Sequence, residues 1–160
     1  MRLYQVVAPD DVDAVTDELA RQLATFRGLV GRDPTHLDSH QHVHRQQPVR
    51  SLLLDLARHL GVPLRDFSPT VRYRGDFYGQ TADGYPLPDR VIVEALVATL
   101  ERLPSGAFTE LGCHPGYAED LDTMYRDERA REVAVLCDQR VRSATAANGI
   151  QLCSFHALSS

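Results

Sequence analysis

The sequence predicts an α/β protein built from parallel βα units, and two observations carry that expectation. Apolar residues recur at spacings of three and four over several long stretches, and short apolar runs bounded by glycine and proline stand between them. The resulting order of strand, helix, strand, helix places successive strands side by side with helical crossovers, which is the parallel arrangement.

The elements follow in chain order. From Asp10 to Arg27, Val12, Val15, Leu19, Leu23 and Phe26 form one helical face with acidic residues in the first turn, and Gly28 and Gly31 stop it. Thr35 to Asp38 predicts a short strand. Pro48 opens a second helix, with Val49, Leu52, Leu53, Leu56 and Leu60 on one face and Gly61 as its stop. Val62 to Phe67 predicts a further short extended segment. Ser68 to Pro88 is rich in Gly, Pro, Asp and Tyr without a sustained period, which predicts a long irregular loop, functional or disordered. A third helix spans about Asp89 to Leu103, with Val91, Ile92, Ala95, Leu96 and Leu100 inward and Pro104 beyond it. Phe108 to Cys113 predicts a strand that ends at His114-Pro115-Gly116-Tyr117. Helical spacing resumes from about Asp127 to Ala147, with a break near Asp138 and a cap at Asn148-Gly149. Ile150 to Phe155 predicts a closing strand. No internal repeat or low-complexity segment is visible.

Composition narrows the function classes. With 160 residues, 43% hydrophobic and 24% charged, the chain is expected to form one soluble globular domain over residues 1–160. A net charge of -5 without an arginine cluster argues against a nucleic-acid partner. No apolar stretch approaches the roughly 20 residues of a membrane span, and the opening MRLYQVVAPDD is too short in apolar residues for a signal peptide, so cytoplasmic residence is expected. Cys113, Cys137 and Cys153 are an odd number with no C-x-x-C pair, so buried, reduced thiols are expected rather than disulfides or a cysteine zinc site.

The chemistry concentrates in PTHLDSHQHVH, residues 34–44. His36, Asp38, His40, His42 and His44 fall on even positions and share one face wherever the backbone is extended. Each buried ring nitrogen needs a partner, so such a stripe points to a divalent metal or a proton-transfer site. His114 follows another expected strand. Ligands of parallel βα proteins bind beyond the carboxyl ends of the strands, so the two histidine-bearing loops are expected at the same end of one sheet. His59 suits the negative end of the second helix, and His156 suits an exposed place near the C-terminus.

PTHLDSHQHVH, followed by DFYG and ELGCHPGY, resembles in order and spacing the YdjC-like (ChbG-type) carbohydrate deacetylases, from the helix before Pro34 to the closing NGIQLCSF. The resemblance implies an irregular (β/α) barrel, of which this chain is the C-terminal portion, a partial barrel. It implies hydrolysis of the acetamide of N-acetylated amino sugars, including chito-oligosaccharides, with a divalent metal, Mg or Zn. Carried over residue by residue, it places the metal on His40. In a complete site Asp38 or His36 would orient that ligand, and His114, on the opposite loop, is the candidate for protonating the leaving amine. Gly116 would let the backbone approach the sugar, and Tyr117, Phe77 or Tyr78 would stack on a pyranose face. His42 and His44 would serve as hydrogen-bonding or exposed residues. Ordinary packing is the alternative for His40 and Tyr78, and a simple Pro115-Gly116 turn for His114.

The family's Asp-Asp-Phe-Gly motif and a further metal histidine have no match here, since Asp10-Asp11 opens a helix. Two functions from different classes are therefore expected. One is a metal-dependent deacetylase completed by a missing N-terminal half or a partner chain. The other is a catalytically inactive half-barrel kept for sugar binding or protein association. A partial barrel leaves an edge strand and an apolar face uncovered, so a homodimer or a complex with the missing half is expected.

Overall fold

A computed structural model describes residues 10–81, 83–117, 119 and 125–158. The chain divides into two compact units, Met1–Pro69 with Phe155–Ser160, and Thr70–Ser154.

In the first unit, α1 (Val12–Val30) is capped by Asp11, whose carboxylate accepts the Ala14 N–H at 3.0 Å. It ends at Gly31, whose φ of 74° is the left-handed conformation that favours glycine. No residue of α1 is buried, and Leu29 is 83% exposed. The strand expected at Thr35 to Asp38 is reduced to one parallel bridge between Leu37 and Leu64, in which Leu37 N–H donates to Pro63 (2.9 Å) and Arg65 N–H donates to Leu37 (3.0 Å). A 3-10 turn, His40–Arg45, leads to α2 (Val49–Leu60), closed by Gly61. Leu53, Ala57 and Leu64 form the apolar core, with Leu19, Leu37 and Phe67 packed on it.

The second unit is built on β1 (Val71–Arg74) and β2 (Phe108–Leu111), which pair in parallel from Val71–Phe108 to Arg74–Leu111. β1 lies inside the stretch expected to be irregular. Its four residues alternate Val and Tyr with arginine, and the period is too short to stand out from the glycines around it. The crossover carries a 3-10 turn, Pro88–Arg90, and α3 (Val93–Leu100), which starts later than the periodicity suggests because Ile92 is extended. α4 (Arg126–Leu136) and α5 (Gln139–Ala147) are separated at Cys137-Asp138, where Asp138 caps α5 by accepting the Arg140 N–H at 2.7 Å. Phe77, Val91, Val93, Leu96, Val135 and Val141 make the core.

Two expectations are corrected here. Ile150 to Phe155 is not a strand: no ladder forms among the described residues, Leu152 is 92% exposed, and Phe155 opens a short 3-10 turn to Leu158. β-branched and aromatic residues form a strand only where a neighbouring strand takes up their backbone groups. The thiols are not buried either, since Cys137 and Cys153 are exposed and Cys113 is half-buried. Cys137 sits at the helix break and Cys153 in the segment that forms no strand.

Candidate functional site

The histidine segment turns where the even-odd alternation required it to run straight. Ser39 is extended (φ -142°), but Gln41 and His42 take left-handed φ values of 53° and 56°. The reversal brings Asp38, His42 and His44 together, with one ligand-capable atom of each within 4.8 Å of the others. His40, exposed at the head of the turn, lies outside that group.

His44 is the best-defined member. It is 0% exposed; its backbone N–H donates to Ser39 Oγ at 3.0 Å, and Ser39 Oγ lies 2.6 Å from its Nδ1. When Nδ1 carries the proton toward Ser39, Nε2 presents a lone pair. That Nε2 is buried and has no hydrogen-bond partner. Asp38 accepts an ion pair from Arg65 on Oδ2 and places Oδ1 3.8 Å from His44 Nδ1. The His42 ring meets His44 edge-on at 5.6 Å, and Phe67 meets it at 6.0 Å. Burial is the main cause that lowers the pKa of both imidazoles, so they favour the neutral form that ligates metal. Two neutral imidazoles and a carboxylate, with one buried ring nitrogen lacking a partner, fit a divalent ion such as zinc. Asp38 and His36 also line a cavity of about 320 Å³ between α1 and α2, walled by Leu19, Leu23, Phe26 and Leu53. His36 stacks on Phe155 at 4.0 Å.

The second unit holds a separate aromatic group beyond the carboxyl ends of its strands. Tyr78 follows β1 and His114 follows β2. Tyr78 stacks on Tyr125 with centroids 4.5 Å apart and planes 9° apart, and His114 meets the two rings edge-on at 5.3 and 5.8 Å. Burial raises the pKa of both tyrosines, and for Tyr125 the hydrogen bond to Glu132 adds to it. The sheet that carries His114 consists of β1 and β2 among the described residues, and the chain before the histidine segment makes its own parallel bridge, Leu37 to Leu64.

The remaining expected residues divide. Phe77 is 2% exposed and its ring is part of the core, so packing takes up the face that was expected to meet a sugar. Tyr117 and His114 are exposed and Tyr78 is half-buried. At Gly116 a Cβ would run into the Arg129 guanidinium, so the absent side chain serves a close approach within the protein. Tyr125, Glu128 and Glu132, which border this group, were not singled out from the sequence. An acid on the inner face of a helix, one turn beyond Glu128 and next to Val133, is the signal that could have marked Glu132.

These features define an α/β protein with an imidazole-carboxylate cluster in one unit and a strand-end aromatic group in the other. The family description YdjC-like protein matches residues 1–147, and the chain belongs to that family. It is similar to a carbohydrate deacetylase of Mus musculus (31% identity, covering 100% of this chain and 67% of the relative). It is also similar to a carbohydrate deacetylase of Geobacillus stearothermophilus (31%, 86% and 57%) and a chitooligosaccharide deacetylase of Serratia marcescens (34%, 92% and 62%). A crystal structure of a proposed cellobiose-phosphate cleavage protein from Enterococcus faecalis V583 matches with a TM-score of 0.73 at 25% identity, over 92% of this chain and 61% of that one. The chain thus spans about three fifths of the length of these relatives, between 57% and 67%. Among the described residues no helix is long and apolar enough to cross a membrane.

Proposed function

We propose that this chain is the C-terminal part of a (β/α)-barrel hydrolase of the cytoplasm that removes acetyl groups from N-acetylated amino sugars or chito-oligosaccharides with a divalent metal. The observation that carries the reading is the convergence of Asp38, His42 and the buried His44, whose Nε2 has no hydrogen-bond partner. The deacetylase names of the relatives support the substrate class.

A bound divalent ion would supply Lewis-acid polarisation of the acetyl carbonyl and a more acidic water. His42, His44 and Asp38 would hold it. Arg65 keeps the Asp38 carboxylate in place, and Ser39 orients the His44 ring. His40, the ligand that the family resemblance assigns, heads the same turn and is tested beside them. His114 protonates the leaving amine. Tyr78 and Tyr117 offer ring faces to the pyranose. The general base that the family's Asp-Asp-Phe-Gly motif would supply comes from outside this chain, from a partner polypeptide or a longer product.

The alternative, an inactive half-barrel serving sugar binding or association, has one observation in its favour: Val12, Phe26, Leu29 and Val30 of α1 are exposed, as a homodimer or a complex with the remaining part would require.

The test is acetate release from chitobiose by the chain, alone and with a polypeptide carrying the Asp-Asp-Phe-Gly strand, with Zn²⁺ or Mg²⁺ and with a chelator. Chelator-sensitive turnover, lowered about 10²- to 10⁴-fold by His114→Ala, is expected. Acetate release that ignores the chelator, or none in any combination, overturns the reading.

A further inference from the structure

The face that α4 turns toward the strand-end loops has no part in the reading above. Glu132, 0% exposed, engages both carboxylate oxygens: Oε1 accepts the Tyr125 hydroxyl at 2.6 Å, and Oε2 accepts the backbone N–H of His114. The Tyr125 hydroxyl in turn accepts the Gly79 N–H at 2.7 Å. One carboxylate therefore ties the loop after β1, which carries Tyr78, to the turn after β2, which carries His114.

The neighbouring residues of α4 leave those loops little room. Glu128 accepts the Gln80 side-chain amide at 3.0 Å, and a Cβ on Gly79 would come within 2.8 Å of Glu128 Cγ. Gly116 N–H donates to the Arg129 carbonyl at 3.3 Å, and its missing Cβ makes way for that arginine's guanidinium. Both donors to Glu132 are uncharged, and an acid buried against uncharged donors is a costly way to join two loops when an apolar side chain of similar volume would pack there. What the carboxylate provides and an apolar group does not is a fixed direction for two specific donors.

We propose that Glu132 is a positioning residue: it fixes the main chain of His114 and the stacked Tyr78–Tyr125 pair in one arrangement, so that an amino sugar meets an imidazole and a ring face already in place. The inference rests on the reading of His114 as proton donor and of Tyr78 as a sugar-stacking ring.

The test compares Glu132→Gln and Glu132→Ala with Val135→Ala, a core truncation on the same helix that lowers stability and leaves these hydrogen bonds alone. The chain has no tryptophan, so the near-UV circular dichroism reports its six tyrosines and five phenylalanines, and the Tyr78–Tyr125 stack contributes to that band. Both Glu132 variants are expected to weaken the tyrosine band and shift the His114 and Gly79 amide resonances, while Val135→Ala changes neither at the same loss of melting temperature. In the complemented deacetylation assay Glu132→Ala is expected to lower kcat about 10²-fold with KM changed less than threefold, because misplacement by an ångström costs about that much. Unchanged resonances and band in Glu132→Gln, or a Val135→Ala variant that matches Glu132→Ala in every readout, overturn the proposal. A wild type without turnover overturns the deacetylase reading instead, and the resonances and the tyrosine band then decide the positioning claim by themselves.

Discussion

Tyr125→Phe removes one oxygen and leaves two groups without their partner. The Tyr125 hydroxyl donates to Glu132 at 2.6 Å and accepts from Gly79 at 2.7 Å, both inside the second unit. A hydrogen bond to a carboxylate contributes about 1.5–3 kcal/mol, and a buried amide left unpaired costs about 1–3 kcal/mol. Phenylalanine no longer requires a hydroxyl to be desolvated, which offsets about 1 kcal/mol of that loss. The net expectation is a loss of about 2–4 kcal/mol, a large share of a typical stability of about 5–15 kcal/mol. Urea unfolding followed by far-UV circular dichroism measures it: with a slope of about 2 kcal/mol/M the midpoint falls by about 1–2 M at unchanged slope. Tyr78→Phe keeps the stacked ring and touches neither of these bonds, so it should cost less than about 0.5 kcal/mol. The sign with pH follows from the raised pKa of Tyr125. Its hydroxyl ionises less readily folded than unfolded, so its contribution is complete below the unfolded value near 10 and is lost as pH rises toward the folded one. The wild type should therefore lose more stability above about pH 10 than Tyr125→Phe does. A midpoint within about 0.25 M of wild type, about 0.5 kcal/mol at that slope, would show that solvent, not this network, satisfies Glu132 and Gly79.

Zn²⁺ at one hundred times its dissociation constant should stabilise the chain by about 2.7 kcal/mol and raise the melting temperature by about 5–11 °C. His44→Ala and His42→Ala should abolish that rise and His40→Ala should keep it, as differential scanning fluorimetry would show; the reverse pattern would move the site to His40. Leu96→Ala, at a position 1% exposed within the larger core, should cost about 2–5 kcal/mol through the cavity it opens, measured by the same urea titration.

The sequence makes the helices legible because each carries a face that must be buried or a stop that must be satisfied. Gly31 and Gly61 close α1 and α2 in the left-handed conformation as their positions suggest, and the break at Asp138 lies where the apolar spacing falters. Strand positions are less legible because pairing, not propensity, decides them. VRYR becomes β1 since FTEL lies alongside it, whereas IQLCSF, with the stronger composition, meets no partner and stays irregular. Sequence supplies the residues of the histidine segment, but not which of them converge. A period-two reading places five groups on one face, and two left-handed residues in succession, neither of them glycine, select Asp38, His42 and His44 from that face and leave His40 aside.

α4 is inconspicuous in the sequence because its inner face is only partly apolar. A helix is recognised by its apolar stripe, and RDERAREVAVL has a weak one because part of its inner face meets backbone amides and a phenol instead of side-chain carbon. Val135 packs into the core while Glu132, three residues earlier and nearly above it, reaches the loops. An acid at an inward helical position is costly unless donors await it, so its presence there is itself a pointer to a hydrogen-bonded site. Chemistry on this chain is therefore marked where helical periodicity is interrupted by a carboxylate, as at Glu132, as well as where histidines crowd together. Glu128 is the next inward acid on the same helix, and its contacts with Gln80 and Gly79 place it against the loop that presents Tyr78.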